Sequence, residues 1–318
     1  MKRIEIKENN LNMVYEITDE NEIKLLHFSN LPFDENDINS CEGTDSFRPV
    51  EVLLSGLNRP GERHGTKYTY TAPGYRLKYK DMKDYRNETG RKLEILMEDK
   101  PTGLEVCSNI QFYDGISVIR SWTELKNNGE EDLGVEYVSS FALLGIDNEG
   151  LLSTDEKLEV LIARNAWQKE LIWNRFSMDQ LGMSISQPDK VRRSSQTISV
   201  GNTGNWSTKN YLPMGCLKNK ETDSILFWQI EQNGSWYWEI SDQDGHMYLQ
   251  LSGPTEHQSH WWKNLKPGDT FASVPVSVGS ACGDVEEAAG ELTKYRRAIR
   301  RKNEDNEKLP VIFNDYMN

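Results

Sequence analysis

The chain has 318 residues, 36% of them hydrophobic and 10% aromatic, enough to bury a large core in one domain or two. Its net charge of −13 argues against nucleic acid and anionic membranes as partners, because an acidic surface repels phosphates instead of releasing their counterions. No window approaches the roughly 18 uninterrupted apolar residues of a membrane span, and the opening MKRIEIKENN has no apolar run to serve as a signal peptide, so a cytoplasmic location is expected.

From Ile4 onward the sequence falls into short segments whose apolar residues alternate with a period of two. Ile4 and Ile6, Tyr68 and Tyr70, Leu77 and Tyr79, and Leu93, Ile95 and Met97 follow this pattern. It returns in Leu226, Trp228 and Ile230, in Met247, Leu249 and Leu251, and in Val274, Val276 and Val278. Each predicts a strand with one buried face. Turn residues separate them, among others at Thr89-Gly90, Asn127-Asn128-Gly129, Asp244-Gly245 and Pro267-Gly268, where a hairpin needs a positive or fixed φ. Strands at this spacing predict a mainly β fold, a sandwich or barrel. Two segments depart from the pattern. Cys41 to His64, around TDSFRPVEVLLSG, and the polar stretch Asp179 to Asn210 predict long functional loops, each with room for one strand.

The longest helical period comes late. Val285, Ala288, Ala289, Leu292, Tyr295 and Ile299 share one face of a helix starting near Asp284. Glu286 and Glu287 lie in its first turn and Arg297, Arg300 and Arg301 in its last, the order a helix dipole favours, so the basic run reads as a solvated helix end. Asn303 to Lys308 is then a polar linker. In Leu309 to Asn318 (LPVIFNDYMN), Val311, Ile312 and Phe313 precede Asn314, Asp315 and Tyr316, as in a buried parallel strand that delivers polar groups to its C-terminal end. Such a strand needs neighbours reached by crossovers of about a dozen residues, so it is expected to open a second domain. Without that domain it should dangle, or pack on the sandwich or a neighbouring chain. The expected organisation is a sandwich over 1–283, a helix and linker over 284–308, and this strand over 309–318.

Indole faces stack on sugar rings, so Trp228, Trp236, Trp238, Trp261 and Trp262 could mark carbohydrate contact; the alternating Trp228, Trp236 and Trp238 read more simply as core. Trp206, in a Gly- and Ser-containing loop, is the better sugar-facing candidate. In Thr44-Asp45-Ser46-Phe47-Arg48-Pro49, Asp45 can accept from sugar hydroxyls and Arg48 can donate to ring oxygens; a turn-internal Asp45–Arg48 bridge is the plainer reading. His257 and His260 lack a third ligand nearby, and no metal or cofactor is expected. Cys41, Cys107, Cys216 and Cys282 form no CxxC and read as free thiols. With 50 carboxylates, spacing alone cannot single out an acid and base pair.

Taken together, the DSFRP loop, Ile119–Gly129 (IRSWTELKNNG), Asn165–Glu170 (NAWQKE), Trp262–Phe271 (WKNLKPGDTF) and Pro310–Asn318 (PVIFNDYMN) resemble, in order and spacing, the amino-terminal region of glycoside hydrolase family 36, the bacterial α-galactosidases. The resemblance implies a galactose-mutarotase-like supersandwich, then a linker helix, then the first strand of a (β/α)₈ barrel. In that family the barrel carries both catalytic aspartates, and neither of their motifs occurs here. This chain is therefore expected to be non-catalytic, stopping before the machinery of a retaining enzyme that acts on melibiose- or raffinose-like α-galactosides through carboxylates about 5 Å apart. Barrel active sites lie at the C-terminal ends of the strands, which makes Asn314 and Asp315 rim candidates. The family also implies a sandwich loop reaching the barrel mouth through an Asp of a DxR-like loop, here Asp45 and Arg48, and a homo-oligomer built through the sandwich. Two other classes stay open: a stand-alone carbohydrate-binding module, and a mutarotase-like epimerase needing a His and a Glu that face each other in a concave sheet.

Overall fold

The computed structural model describes residues 1–36, 46–57, 67–183 and 196–315. Strands β1 (Lys2–Glu8), β2 (Leu11–Ile17), β3 (Ile23–Ser29) and β4 (Val52–Leu54) open the chain. A short helix α1 (Ala72–Arg76) leads into β5 (Lys78–Arg86), β6 (Arg91–Asp99), β7 (Leu104–Tyr113), β8 (Ile116–Asn127), β9 (Leu133–Val138) and β10 (Phe141–Leu144). Helix α2 (Thr154–Lys157) precedes β11 (Leu158–Ala166), β12 (Lys169–Ser177), β13 (Ile198–Asn202), β14 (Tyr211–Asn219), β15 (Ser224–Ile230), β16 (Trp236–Gln243) and β17 (His246–Ser252). Helix α3 (Glu256–Ser259), β18 (Lys263–Leu265), β19 (Thr270–Ala272) and β20 (Val276–Cys282) follow, then α4 (Val285–Ile299) and α5 (Glu304–Lys308).

The pairings are antiparallel. A ten-stranded sheet runs β12-β11-β14-β15-β20-β8-β7-β6-β5, with β19 added on β8. Opposite it stand a four-stranded sheet, β10-β17-β16-β13, and the three-stranded sheets β1-β2-β3 and β18-β9-β4. Tight turns fix the registers. Asp244 (φ 51°) and Gly245 (φ 82°) close β16 on β17, with Gln243 opposite His246, as the sequence predicts for a two-residue hairpin.

One core joins the sheets. Leu93, Ile95 and Met97 of β6, Trp228 and Ile230 of β15, and Trp236, Trp238 and Ile240 of β16 all point into it. The expected two-residue alternation is thus present, and these indoles are core. The intervening residues of the ten-stranded sheet meet a second layer: Ile225, Phe227, Val118, Leu161 and Cys216 pack under Ala288, Leu292 and Tyr295 of α4. Asp284 caps that helix and Glu287 completes a capping box, which is why it begins where the sequence predicts.

Three expectations change. Tyr68 and Tyr70 lie in an irregular segment, Tyr70 at φ 56°, because the backbone bends there to bond a buried carboxylate. Ala289 is exposed, since only the turns carrying Ala288, Leu292 and Tyr295 face the sheet. Asn303 to Lys308 is a short helix capped by Asn303, not a bare linker. Leu309 to Asp315 forms no strand and leaves Val311, Ile312 and Phe313 exposed, one of the two outcomes expected where its neighbouring strands are not present. Among the described residues each predicted loop holds one strand, β4 and β13. Cys107, Cys216 and Cys282 are free, and Cys41 lies outside the described residues. Among the described residues no helix is long and apolar enough to cross a membrane.

Candidate functional site

The loop carrying Arg48 joins β3 to β4 and is stitched to its surroundings. Leu25 N donates to Phe47 O (2.9 Å), Glu51 N donates to Ser139 Oγ (2.8 Å), and Ser139 N donates back to Glu51 O (2.9 Å). Ser46 Oγ donates to Asp244 in the β16–β17 turn. Arg48 does not project from this loop: it is 3% exposed, its guanidinium lies over the Tyr75 ring, 5.0 Å from the centroid, and Nη2 is 3.2 Å from Glu22 Oε1. That distance makes an ion pair, yet among the described residues Nε, Nη1 and Nη2 are buried without an aligned hydrogen bond. Glu22 is shared with Lys78 Nζ at 2.9 Å. Burial raises the Glu22 carboxyl, but the Lys78 bond and the charges of Arg48 and Lys78 outweigh burial and hold it below its ordinary range.

Beneath the loop, Glu51 is 1% exposed and accepts from Tyr70 N (2.7 Å), Thr71 N (2.9 Å) and Thr71 Oγ1. Burial pushes its carboxyl up to about 7, against the downward pull of these bonds and of the Arg48 charge. Thr71 Oγ1 also caps α1 by accepting from Gly74 N (3.2 Å), so the carboxyl of Glu51 helps fix where that helix begins.

A polar layer continues on the face of β16 that points away from the main core. Glu239, fully buried, accepts from Tyr68 N (2.7 Å), Tyr237 OH (2.8 Å) and Tyr248 OH (2.8 Å). Tyr68 stacks on Tyr137 with centroids 3.9 Å apart, and Lys67 Nζ donates to Asp242 Oδ1 (2.7 Å) and Asp242 O (3.1 Å). Burial, and then the Glu239 charge, push the Tyr137, Tyr237 and Tyr248 hydroxyls up. His246 Nδ1 lies 2.8 Å from Asn148 Oδ1. An epimerase needs a carboxylate ready to move substrate protons; Glu239 accepts from three protein donors, an arrangement that suits an anchor.

Among the described residues, Trp206 and Arg48 lie far apart. Trp206, 53% exposed, lies between β13 and β14, and the carbonyl of the next residue, Ser207, accepts from Trp236 Nε1 (2.7 Å) at the start of β16. The Arg48 loop is tied to Asp244, beyond the other end of that strand, about 23 Å away for eight residues. Asp45 lies outside the described residues, and Asn314 and Asp315 are exposed beyond α5. Ser207 and Thr208 also line an open groove of about 870 Å³ between α4 and the strands β14 and β15, walled by Met214, Leu292, Arg296 and Arg300. Sequence reasoning missed the groove, Glu51 and Glu239. The two glutamates do leave a signal, since each is a carboxylate inside an apolar run, VEVLL and WYWEI.

No protein-family model and no curated protein matches the chain. Solved structures do. A variant of the family 36 α-galactosidase AgaA from Geobacillus stearothermophilus, in complex with 1-deoxygalactonojirimycin, matches 96% of this chain with a TM-score of 0.73 at 14% identity. A further AgaA variant, in complex with raffinose, matches 94% with a TM-score of 0.70 at 16% identity. The α-galactosidase from Lactobacillus brevis matches 93% with a TM-score of 0.69 at 14% identity. The chain spans 44%, 44% and 42% of those chains, less than half of each. At this identity the likeness is one of fold, and it bears out the fold that the sequence resemblance implies.

Proposed function

We propose that this chain is the non-catalytic amino-terminal sandwich of a retaining α-galactosidase acting on terminal α-galactosides such as melibiose and raffinose. The observation that carries this reading is the fold likeness along 96% of the chain to an α-galactosidase of which it spans only 44%. The exposed Val311, Ile312 and Phe313 support it: they are the apolar run a first barrel strand would bury against its neighbours. In this reading both catalytic aspartates belong to a barrel that follows, and the sandwich serves assembly as a homo-oligomer and lends loop residues to the active-site mouth. Asp45 would be the sugar-facing residue of the DSFRP loop. Arg48, buried over Tyr75 and beside Glu22, would hold that loop from beneath.

Incubation of the purified chain with a chromogenic α-galactoside tests the assignment; no turnover is expected, and measurable release of the chromophore would overturn it. Calorimetric titration with raffinose separates it from the binding-module alternative. Weak or no heat is expected, whereas micromolar saturable binding would establish the module instead.

A further inference from the structure

The groove between α4 and the strands β14 and β15 carries a charge opposite to that of the chain. Its volume of about 870 Å³ suits a small molecule, and α4 lines one wall with Arg296, Arg297 and Arg300. Among the described residues the lining holds one carboxylate, Glu231, and that one is engaged: it accepts from Arg120 Nε (2.9 Å), Arg120 Nη2 (2.7 Å) and Tyr295 OH. Arg296 and Arg297 have no ion pair among the described residues, and Arg300 donates to the neutral amide oxygen of Asn306. In a chain of net charge −13, the groove is a local excess of positive charge.

The helix dipole accounts for cations around the last turns of α4, but not for their gathering on one wall. Arg296 and Arg300 are four residues apart and Arg297 and Arg300 three apart, spacings at which like charges repel and destabilise a helix. Arg301 belongs to the same basic run and does not line the groove. An anion between the three guanidinium groups relieves their repulsion. A neutral protein surface laid over them would instead bury three charges without a counter-charge.

The rest of the lining says what kind of anion fits. The facing wall offers Gln229, Asn233, Ser207 and Thr208, amides and hydroxyls that both donate to and accept from sugar hydroxyls. Trp206, one residue before Ser207, is 53% exposed and leaves an indole available to the apolar face of a sugar ring. Its loop is held in place, because Ser207 O accepts from Trp236 Nε1 (2.7 Å) and Thr208 O from Asn165 Nδ2 (2.6 Å). Guanidinium groups pair with phosphate through parallel N–H bonds, and three of them match a dianionic phosphate better than a single carboxylate.

We propose that this groove is a binding site for a phosphorylated sugar, with the arginines of α4 on the phosphate and the amide and hydroxyl wall, with Trp206, on the sugar. The site lies apart from the DSFRP loop and stands independently of the α-galactosidase reading. Calorimetric titration of the present chain with glucose 6-phosphate, inorganic phosphate and glucose tests it. Saturable binding of glucose 6-phosphate is expected, weakening as salt is raised, with phosphate binding more weakly and glucose giving no saturable heat. Arg296→Gln and, separately, Arg297→Gln should each raise the dissociation constant for glucose 6-phosphate about tenfold or more, the size of one lost charge-assisted hydrogen bond. Arg301→Gln should leave it unchanged. Trp206→Ala should weaken glucose 6-phosphate but not phosphate. Glutamine has nearly the helix propensity of arginine, so the thermal midpoints of the arginine variants should match that of the unaltered chain. A chain that binds no glucose 6-phosphate overturns the proposal. So does an Arg301→Gln effect as large as that of Arg296→Gln, which would make the attraction a property of the whole helix end. Equal affinity for phosphate and glucose 6-phosphate, with no effect of Trp206→Ala, overturns the assignment of the sugar.

Discussion

Replacing Glu51 by glutamine should change how stability depends on pH. Glu51 is 1% exposed, and burial lifts its carboxyl from 4.5 to about 7 despite the donors around it. Between those values the folded chain holds a proton that the unfolded chain releases. Stability from this group is therefore fully present below pH 4.5, falls as pH rises toward 7, and stays low above it. A shift of that size corresponds to about 3 kcal/mol at 1.36 kcal/mol per unit. Glutamine does not titrate, so Glu51→Gln loses this dependence, and it also sets an NH₂ group against one of the donors Tyr70 N, Thr71 N or Thr71 Oγ1. Urea unfolding of both proteins at pH 4.5 and pH 8 measures the effect, since the remaining titrating groups cancel in the difference. The variant should be clearly less stable at the lower pH, and the gap should close by about 3 kcal/mol at the higher. A difference that stays constant with pH would refute the claim that Glu51 is held protonated by burial.

Trp228→Ala, in the main core, should cost about 3–5 kcal/mol, while Trp262→Ala, at an exposed indole, should stay within about 0.5 kcal/mol; thermal denaturation compares the two. Asp284→Ala removes the cap of α4 and the pair with Arg175, so it should cost about 1–2 kcal/mol and speed amide exchange in the first turn of the helix before the rest. Gly279→Ala should destabilise the layer under α4, because a Cβ there would fall 2.3 Å from the Phe227 ring and 2.5 Å from Ser117 O; a melting point equal to that of the unaltered chain would contradict this packing.

The parts of the fold that sequence revealed are those set by local pattern. Leu226, Trp228 and Ile230 alternate, and Asp284 and Glu287 spell a capping box, so strand and helix could be located without a structure. That Ile225 and Phe227 are buried too depends on α4 returning over the sheet some sixty residues later, which a period of two cannot convey. Arg48 was legible as a special residue but not in its surroundings. Its partners, Glu22 and Tyr75, come from distant segments, and they turn a donor expected at a loop tip into a buried support. Tyr68 and Tyr70 show the converse error. Their spacing fits a strand, yet the backbone donors of Tyr68 and Tyr70 go to the carboxylates of Glu239 and Glu51 instead of to a neighbouring strand. The resemblance motif NAWQKE told where similarity lay, but not that Trp167 stands at a hairpin apex, because the turn lacks the glycine or asparagine that normally announces one.

If, as proposed, this sandwich belongs to an α-galactosidase, a catalytic barrel continues the chain. Expression of the reading frame through and beyond Asn318, followed by an assay with a chromogenic α-galactoside, tests it most directly. The extended protein is expected to hydrolyse the substrate with retention of anomeric configuration while the present chain does not. A reading frame that ends at Asn318, or an extended protein without α-galactosidase activity, would contradict the claim.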